Sequence, residues 1–207
     1  MTIVLNQALQ KPLFSRRLVK STSYGIGSLN PAIEYAKLCA EQLQDLKIEK
    51  DIVRVKILYT GGTFGMANSS DGYQPKKNWL LKRIHGNVNL FDKKYTKQNY
   101  EEGTSVTPVT FLKHRIRYNF EEYSNLIDSS ELNREVSNQI AESIEKHYSD
   151  YDSFIIIFGT DTMAYCASYL SFVLENLNKT VVITGSQIPI IEWRNDAEAN
   201  LIGAMTA

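Results

Sequence analysis

Apolar positions along this chain follow two rhythms. From Asn30-Pro31 onward, Ile33, Ala36, Ala40, Leu43 and Leu46 recur every three to four residues with charged residues between them, which predicts an amphipathic helix capped by Asn30. Ile52 to Tyr59 is instead a near-continuous β-branched and apolar run, the pattern of a strand buried on both faces. "DSFIIIF" and "KTVVITG" repeat that pattern, and each of the three runs passes directly into a polar turn. Between them helices are predicted from Glu131 to about His147, with Ser129 or Ser130 as N-cap, and over Ala164 to Leu177. A last helix is predicted from Asp196 to Ala207, and a short strand around His114 to Tyr118. Residues 68 to 107 are polar, carry Asp71-Gly72, Lys76-Lys77 and "DKKYTKQNYEEG", and read as a long, mobile loop or insertion.

Strand alternates with helix, so the expected fold class is α/β: three layers, with a parallel sheet covered by helices on both faces. In such sheets ligands bind at the carboxyl ends of the strands. Residues 1–50 read as an N-terminal extension holding a basic tail and one helix, and 51–207 as the main domain. The last helix is still apolar at Leu201, Ile202, Ala204 and Met205 where the chain stops. A sheet of three or four strands ending there would leave an open edge, so the domain is expected to be incomplete, a fragment or a truncated product.

Composition changes this picture little. Charged residues make up 22% and hydrophobic ones 43% of 207 residues, a globular balance. The 23 basic and 23 acidic residues cancel, so no global field points to nucleic acid or an anionic membrane as partner. No apolar run approaches the roughly 18 residues of a membrane helix. Cys39 and Cys166 lie in apolar periodic segments and read as reduced core residues of an intracellular protein. The first 33 residues hold no acid, while Lys11, Arg16, Arg17 and Lys20 sit among serines and threonines. This bias reads either as a mitochondrial transit segment or as a flexible basic tail, with poor amphipathicity favouring the tail.

The chemistry collects at one edge. "TGGTFG" follows the first strand, "GTDTM" the second and "TGSQIP" the third, and "DSS" at 128 to 130 precedes a helix that starts on the same edge. Glycines there bring backbone N–H groups close to a ligand. A dinucleotide loop of the form G-x-G-x-x-G would need glycine at position 60, where the chain has Thr60, and no Gly-Lys-Ser/Thr follows for a P-loop. The remaining reading is a threonine nucleophile served by backbone oxyanion donors, with Thr63 favoured over Thr60 because it lies past the strand end. From one loop alone the threonines are as well explained as turn formers.

"YTGGTFGM", "GTDTMAY", "LENLNKTVVITGSQIP" and "DSSEL" resemble, in order and spacing, the motifs of the L-asparaginases, closest to the cytoplasmic type I form. The resemblance covers about residues 53 to 207. It implies a Rossmann-like N-terminal asparaginase domain, with Thr63 as the nucleophile on the side-chain amide of L-asparagine and Thr160 as the second active-site threonine. It further implies that Asp161 binds the substrate ammonium, that Asp128, Ser129 and Ser130 hold its α-amino and α-carboxylate groups, and that Tyr73 in "DGYQP" belongs to a mobile lid. No cofactor or metal is implied, and His85, His114 and His147 lack ligand spacing. The expected partner is the small-molecule substrate, in a homodimer or homotetramer in the cytoplasm.

Two departures stand out. The family has histidine before GTDTM where this chain has Phe158, which should perturb the supporting residues rather than abolish the site. The family's relay lysine comes from a strand beyond the last helix, so a chain ending at Ala207 is expected to turn over little asparagine. The competing readings are an inactive chain that still binds asparagine and a nucleotide-binding module. A related tRNA amidotransferase subunit shares the TGGT and TDT loops, so asparagine against glutamine is left open.

Overall fold

The computed structural model describes residues 2–5, 52–70, 72–109 and 114–207. The helix expected from Asn30, Cys39 and the basic positions between 11 and 20 lie outside the described residues. The strands are β1 (Thr2–Leu5), β2 (Val53–Gly61), β3 (Met66–Ser69), β4 (Gly72–Pro75), β5 (Thr104–Val106), β6 (Ile116–Ile127), β7 (Ser153–Ile157) and β8 (Thr180–Thr184). The helices are α1 (Leu80–His85), α2 (Lys93–Asn99), α3 (Arg134–His147), α4 (Met163–Val173) and α5 (Ala197–Thr206). Short 3-10 turns occupy Thr63–Gly65 and Ser129–Glu131.

Six strands form one sheet in the order β1-β8-β7-β2-β6-β5, and β3 and β4 make a separate hairpin. The four central strands are parallel, as the alternation of strand and helix predicts, but both edges are antiparallel. The near-continuous apolar runs are central for a physical reason: both faces of β2, β7 and β8 are covered. Val55, Ile57, Tyr59, Ile155, Ile157 and Val182 meet α1 and α5 on one face. Leu58, Phe154, Ile156, Val181 and Ile183 meet α3 and α4 on the other. Each fully buried Ile or Leu contributes about 1.5–3 kcal/mol, so these three strands anchor the domain.

Several expectations are corrected. Residues 68 to 107 are not a long loop: they hold the β3–β4 hairpin, α1, α2 and β5. Helix α2 is capped by Asp92, whose carboxylate accepts from Tyr95 N at 3.0 Å. The strand expected at His114 to Tyr118 is β6, running 12 residues to Ile127. Helix α3 starts later than expected, and its cap is Asn133, whose side chain accepts from Val136 N at 3.0 Å, not Ser129 or Ser130. Helix α4 ends at Val173 rather than Leu177. The outer edge of β8 is not open, because β1 pairs with it from Thr2↔Thr184 to Leu5↔Val181. Thr2–Leu5, expected as the start of a tail, is therefore an edge strand, with Ile3 and Leu5 packed on the α4 face. No helix among the described residues is long and apolar enough to cross a membrane.

Candidate functional site

The strands that deliver the polar loops end level with one another. Tyr59 of β2 pairs with Ile157 of β7, and Ile157 pairs with Thr184 of β8. The following residues are thereby forced together at the carboxyl edge, and glycines carry the closest approaches. Gly62 has φ +79, and a Cβ there would lie 2.5 Å from Gly159 Cα, so the TGGT loop sits directly on the GTDT loop. Gly61 has φ +127, and a Cβ there would lie 2.2 Å from Ile127 O, just before Asp128. Gly62 N donates to the same carbonyl at 2.9 Å. A Cβ on Gly185 would meet Phe158 O at 2.3 Å and Thr160 Cγ2 at 3.4 Å, which brings the TGSQ loop against the second threonine. These approaches, at Gly159, Phe158 and Ile127, bring the GTDT and TGSQ loops and the residue leading into the DSS loop onto one another and onto the TGGT turn.

The two threonines of TGGT divide as their positions in the strand suggest. Thr60 is 1% exposed, still within β2, and its hydroxyl donates to Ile157 O at 3.1 Å. Thr63 is half-buried and opens the turn Thr63–Gly65 after Gly62. Thr160 is half-buried and Asp161 is exposed. The N-cap of α4 is Thr162, so Asp161 is not the capping residue there. Asp128 is exposed, and its Oδ1 accepts from Ser130 N at 3.0 Å and Ser130 Oγ at 3.1 Å, a local Asx turn that shapes this loop. Ser129 begins the turn Ser129–Glu131. Phe158 is 1% exposed among Met163, Cys166 and Ile183, filling apolar space where a histidine would need a polar partner. Burial pushes the Cys166 thiol up to about 12, which keeps it protonated and unreactive.

Tyr73 lies on β4, which lies against the Thr63–Gly65 turn. It is 44% exposed and donates from Oη to Glu192 Oε1 at 2.5 Å, a bond that raises its phenol above the usual tyrosine value. Two contributors escaped the sequence reading. Asp196, expected only as the start of the last helix, makes no side-chain cap. Its carboxylate accepts instead from Gln187 N and Ile188 N at 3.0–3.2 Å and from Asn200 Nδ2 at 3.2 Å, while Asn200 Nδ2 also reaches Gly185 O at 2.9 Å. Partial burial works to raise the Asp196 carboxyl, but the amides of Gln187 and Ile188 outweigh it and the net shift is downward. Glu192 is the second, and its partner 119 residues away leaves no local signal.

A cavity of about 530 Å³ lies next to this cluster, between the second half of β6 and α3. It is lined by Glu121, Tyr123, Asn125, Gln139, Glu142 and Lys146, and of the TGGT loop only Thr60 reaches it. Its origin is a bulge: Tyr59 pairs with Glu122 but Gly61 pairs with Ile127, so β6 spends extra residues and leaves the ladder there.

Residues 54–207 match the family model for the N-terminal domain of asparaginases. An L-asparaginase from Dirofilaria immitis is 42% identical over 73% of this chain and 26% of its own length. L-asparaginase 1 from Escherichia coli K12 is 40% identical over 73% of this chain and 39% of its own. The crystal structure of L-asparaginase I from Vibrio cholerae superposes with a TM-score of 0.58 at 35% identity, over 75% of this chain and 40% of that one. The chain thus spans between about a quarter and two fifths of the length of these relatives.

Proposed function

The chain belongs to the asparaginase family, and from that premise we propose that its carboxyl-edge loops form an L-asparaginase site that hydrolyses the side-chain amide of L-asparagine to L-aspartate and ammonia. The observation that carries the reading is the close backbone approach, at Gly61, Gly62 and Gly185, of the strand ends that bear the TGGT, GTDT, DSS and TGSQ loops. Thr63 is the nucleophile. Its Oγ attacks the amide carbon, the C–N bond breaks, ammonia leaves with the hydroxyl proton, and a β-aspartyl ester remains on Thr63. Water then cleaves the ester and restores the hydroxyl. Thr60 is excluded from this role because its hydroxyl is buried and committed to Ile157 O.

A zwitterionic amino acid needs an anion for its ammonium and N–H or O–H donors for its carboxylate. Asp161 and Asp128 supply the first, and Ser129 and Ser130 the second, the Ser130 hydroxyl turning from Asp128 to the substrate. Thr160, pressed against Gly185, is the second hydroxyl beside the reacting amide. Gly62 N–H is taken by Ile127 O, so the oxyanion must be met by other amides of the glycine turns. The strand β4 that carries Tyr73 lies against the Thr63 turn. The chemistry balances with water alone and calls for no metal or cofactor. By the same family reading the protein works in the cytoplasm as a homodimer or homotetramer.

The test needs one chemical event per molecule. Incubation with L-asparagine, an acid quench and peptide mapping should find a β-aspartyl ester on Thr63 that Thr63→Ala removes. Asparagine binding without any ester would favour the inactive binding chain instead.

A further inference from the structure

We propose that Glu192 is a positioning residue that holds the Met66–Pro75 hairpin over the Thr63 turn by accepting the Tyr73 hydroxyl. The hairpin cannot hold itself. It has four paired positions, Met66↔Pro75 to Ser69↔Gly72, and buries only Ala67 among its described residues. An isolated two-stranded hairpin of that size is marginal in water. The loop after β8 holds the turn that precedes the hairpin, Ile190 N donating to Phe64 O at 3.1 Å, and reaches the hairpin itself through Tyr73 Oη, which donates to Glu192 Oε1 at 2.5 Å. A phenol on a carboxylate is a short, charge-assisted bond.

The backbone of Glu192 is pinned within its loop. Its own N–H donates to Pro189 O at 3.0 Å, and Asn195 Nδ2 donates to its carbonyl at 2.7 Å. Asp196 clamps the amides of Gln187 and Ile188 at the start of the same loop. The loop that carries Glu192 also carries Gly185 against Thr160. One rigid segment thereby sets both the second threonine and, through Tyr73, the hairpin beside the first. Glu192 touches no substrate in this account and acts through Tyr73. The inference rests on the asparaginase reading only for its consequence at Thr63; the tie itself stands apart from that reading.

The experiment compares the full chain with Glu192→Ala, Glu192→Gln, Tyr73→Phe and the Glu192→Ala/Tyr73→Phe pair. In hydrogen-exchange mass spectrometry the Glu192→Ala and Tyr73→Phe proteins should exchange amides of residues 66–75 about three- to tenfold faster, with the pair no faster than either single change. Glu192→Gln, which keeps an acceptor oxygen, should recover most of the protection. The asparagine concentration giving half-maximal Thr63 ester should rise in the same order while melting temperatures stay together. Unchanged or additive exchange would overturn the tie. Faster exchange with unchanged half-saturation would overturn the positioning role. If wild type forms no ester, the nucleophile reading fails, and the exchange data decide the tie alone.

Discussion

Two openings lie at the same end of the sheet, and they are built in opposite ways. The groove between β6 and α3 is spacious and bordered by carboxylates, and it exists because β6 leaves its ladder between Glu122 and Ile127. In the loop cluster beside it, glycines bring Gly62 onto Gly159 and Gly185 onto Phe158 and Thr160. Volume comes from a departure from pairing, whereas the cluster comes from three strands that end in register. Chemistry that needs several groups around one carbon favours the second, because closely held backbone fixes donors and nucleophile without a conformational cost at reaction.

The largest expected effect comes from filling the close approach. Gly62→Val puts a branched side chain at φ +79 into Gly159, and strain plus overpacking should cost about 3–5 kcal/mol. A urea midpoint unchanged from wild type would show that the loops are not in contact. Next is Asp196→Asn. Because the folded Asp196 carboxyl lies below its ordinary value, its stabilisation is present above about pH 4 and is lost as pH falls through the folded value. Asp196→Asn should therefore lose about 1.5 kcal/mol at pH 7 and show a shallower acid limb below about pH 4. Identical acid limbs would remove Asp196 as the loop's clamp.

Thr60→Val should cost about 1 kcal/mol by orphaning its bond to Ile157 O, and should leave ester formation on Thr63 intact. Loss of the ester with unchanged stability would reverse the assignment of the two threonines. At the small end, Gln139→Ala or Glu142→Gln in the groove should stay within about 0.5 kcal/mol and leave the ester yield unchanged. A large loss of ester there would move the functional centre from the cluster into the groove.

What could be read in the sequence tracks what is local. β2, β7 and β8 were legible because burial on both faces leaves a continuous apolar run. The first half of β6 was legible at Ile116 and Tyr118, but its second half, "EEYSN", borders the groove and carries no such signal. The β3–β4 hairpin was missed because its exposed strands are polar and four residues long. The loop cluster was legible through its glycines, whose need is set by backbone approach. Asp128, Ser129 and Ser130 enter as substrate contacts only through the family resemblance, and the turn that Asp128 and Ser130 form with each other follows from Asx chemistry that the sequence also permits. Glu192 and Asp196 were not legible as loop anchors, since a hydrogen-bond acceptor is recognised by its partner and not by its neighbours. The same limit explains β1: nothing in "TIVL" names Thr180–Thr184 as its partner.

The central claim is that Thr63, and not Thr60 or Thr160, carries the acyl group. Acid-quenched peptide mapping after incubation with L-asparagine tests it directly. The account predicts a β-aspartyl ester on Thr63 in wild type and in Thr60→Val, and none in Thr63→Ala. An ester mapped to Thr60 or Thr160, or one that survives Thr63→Ala, would contradict it.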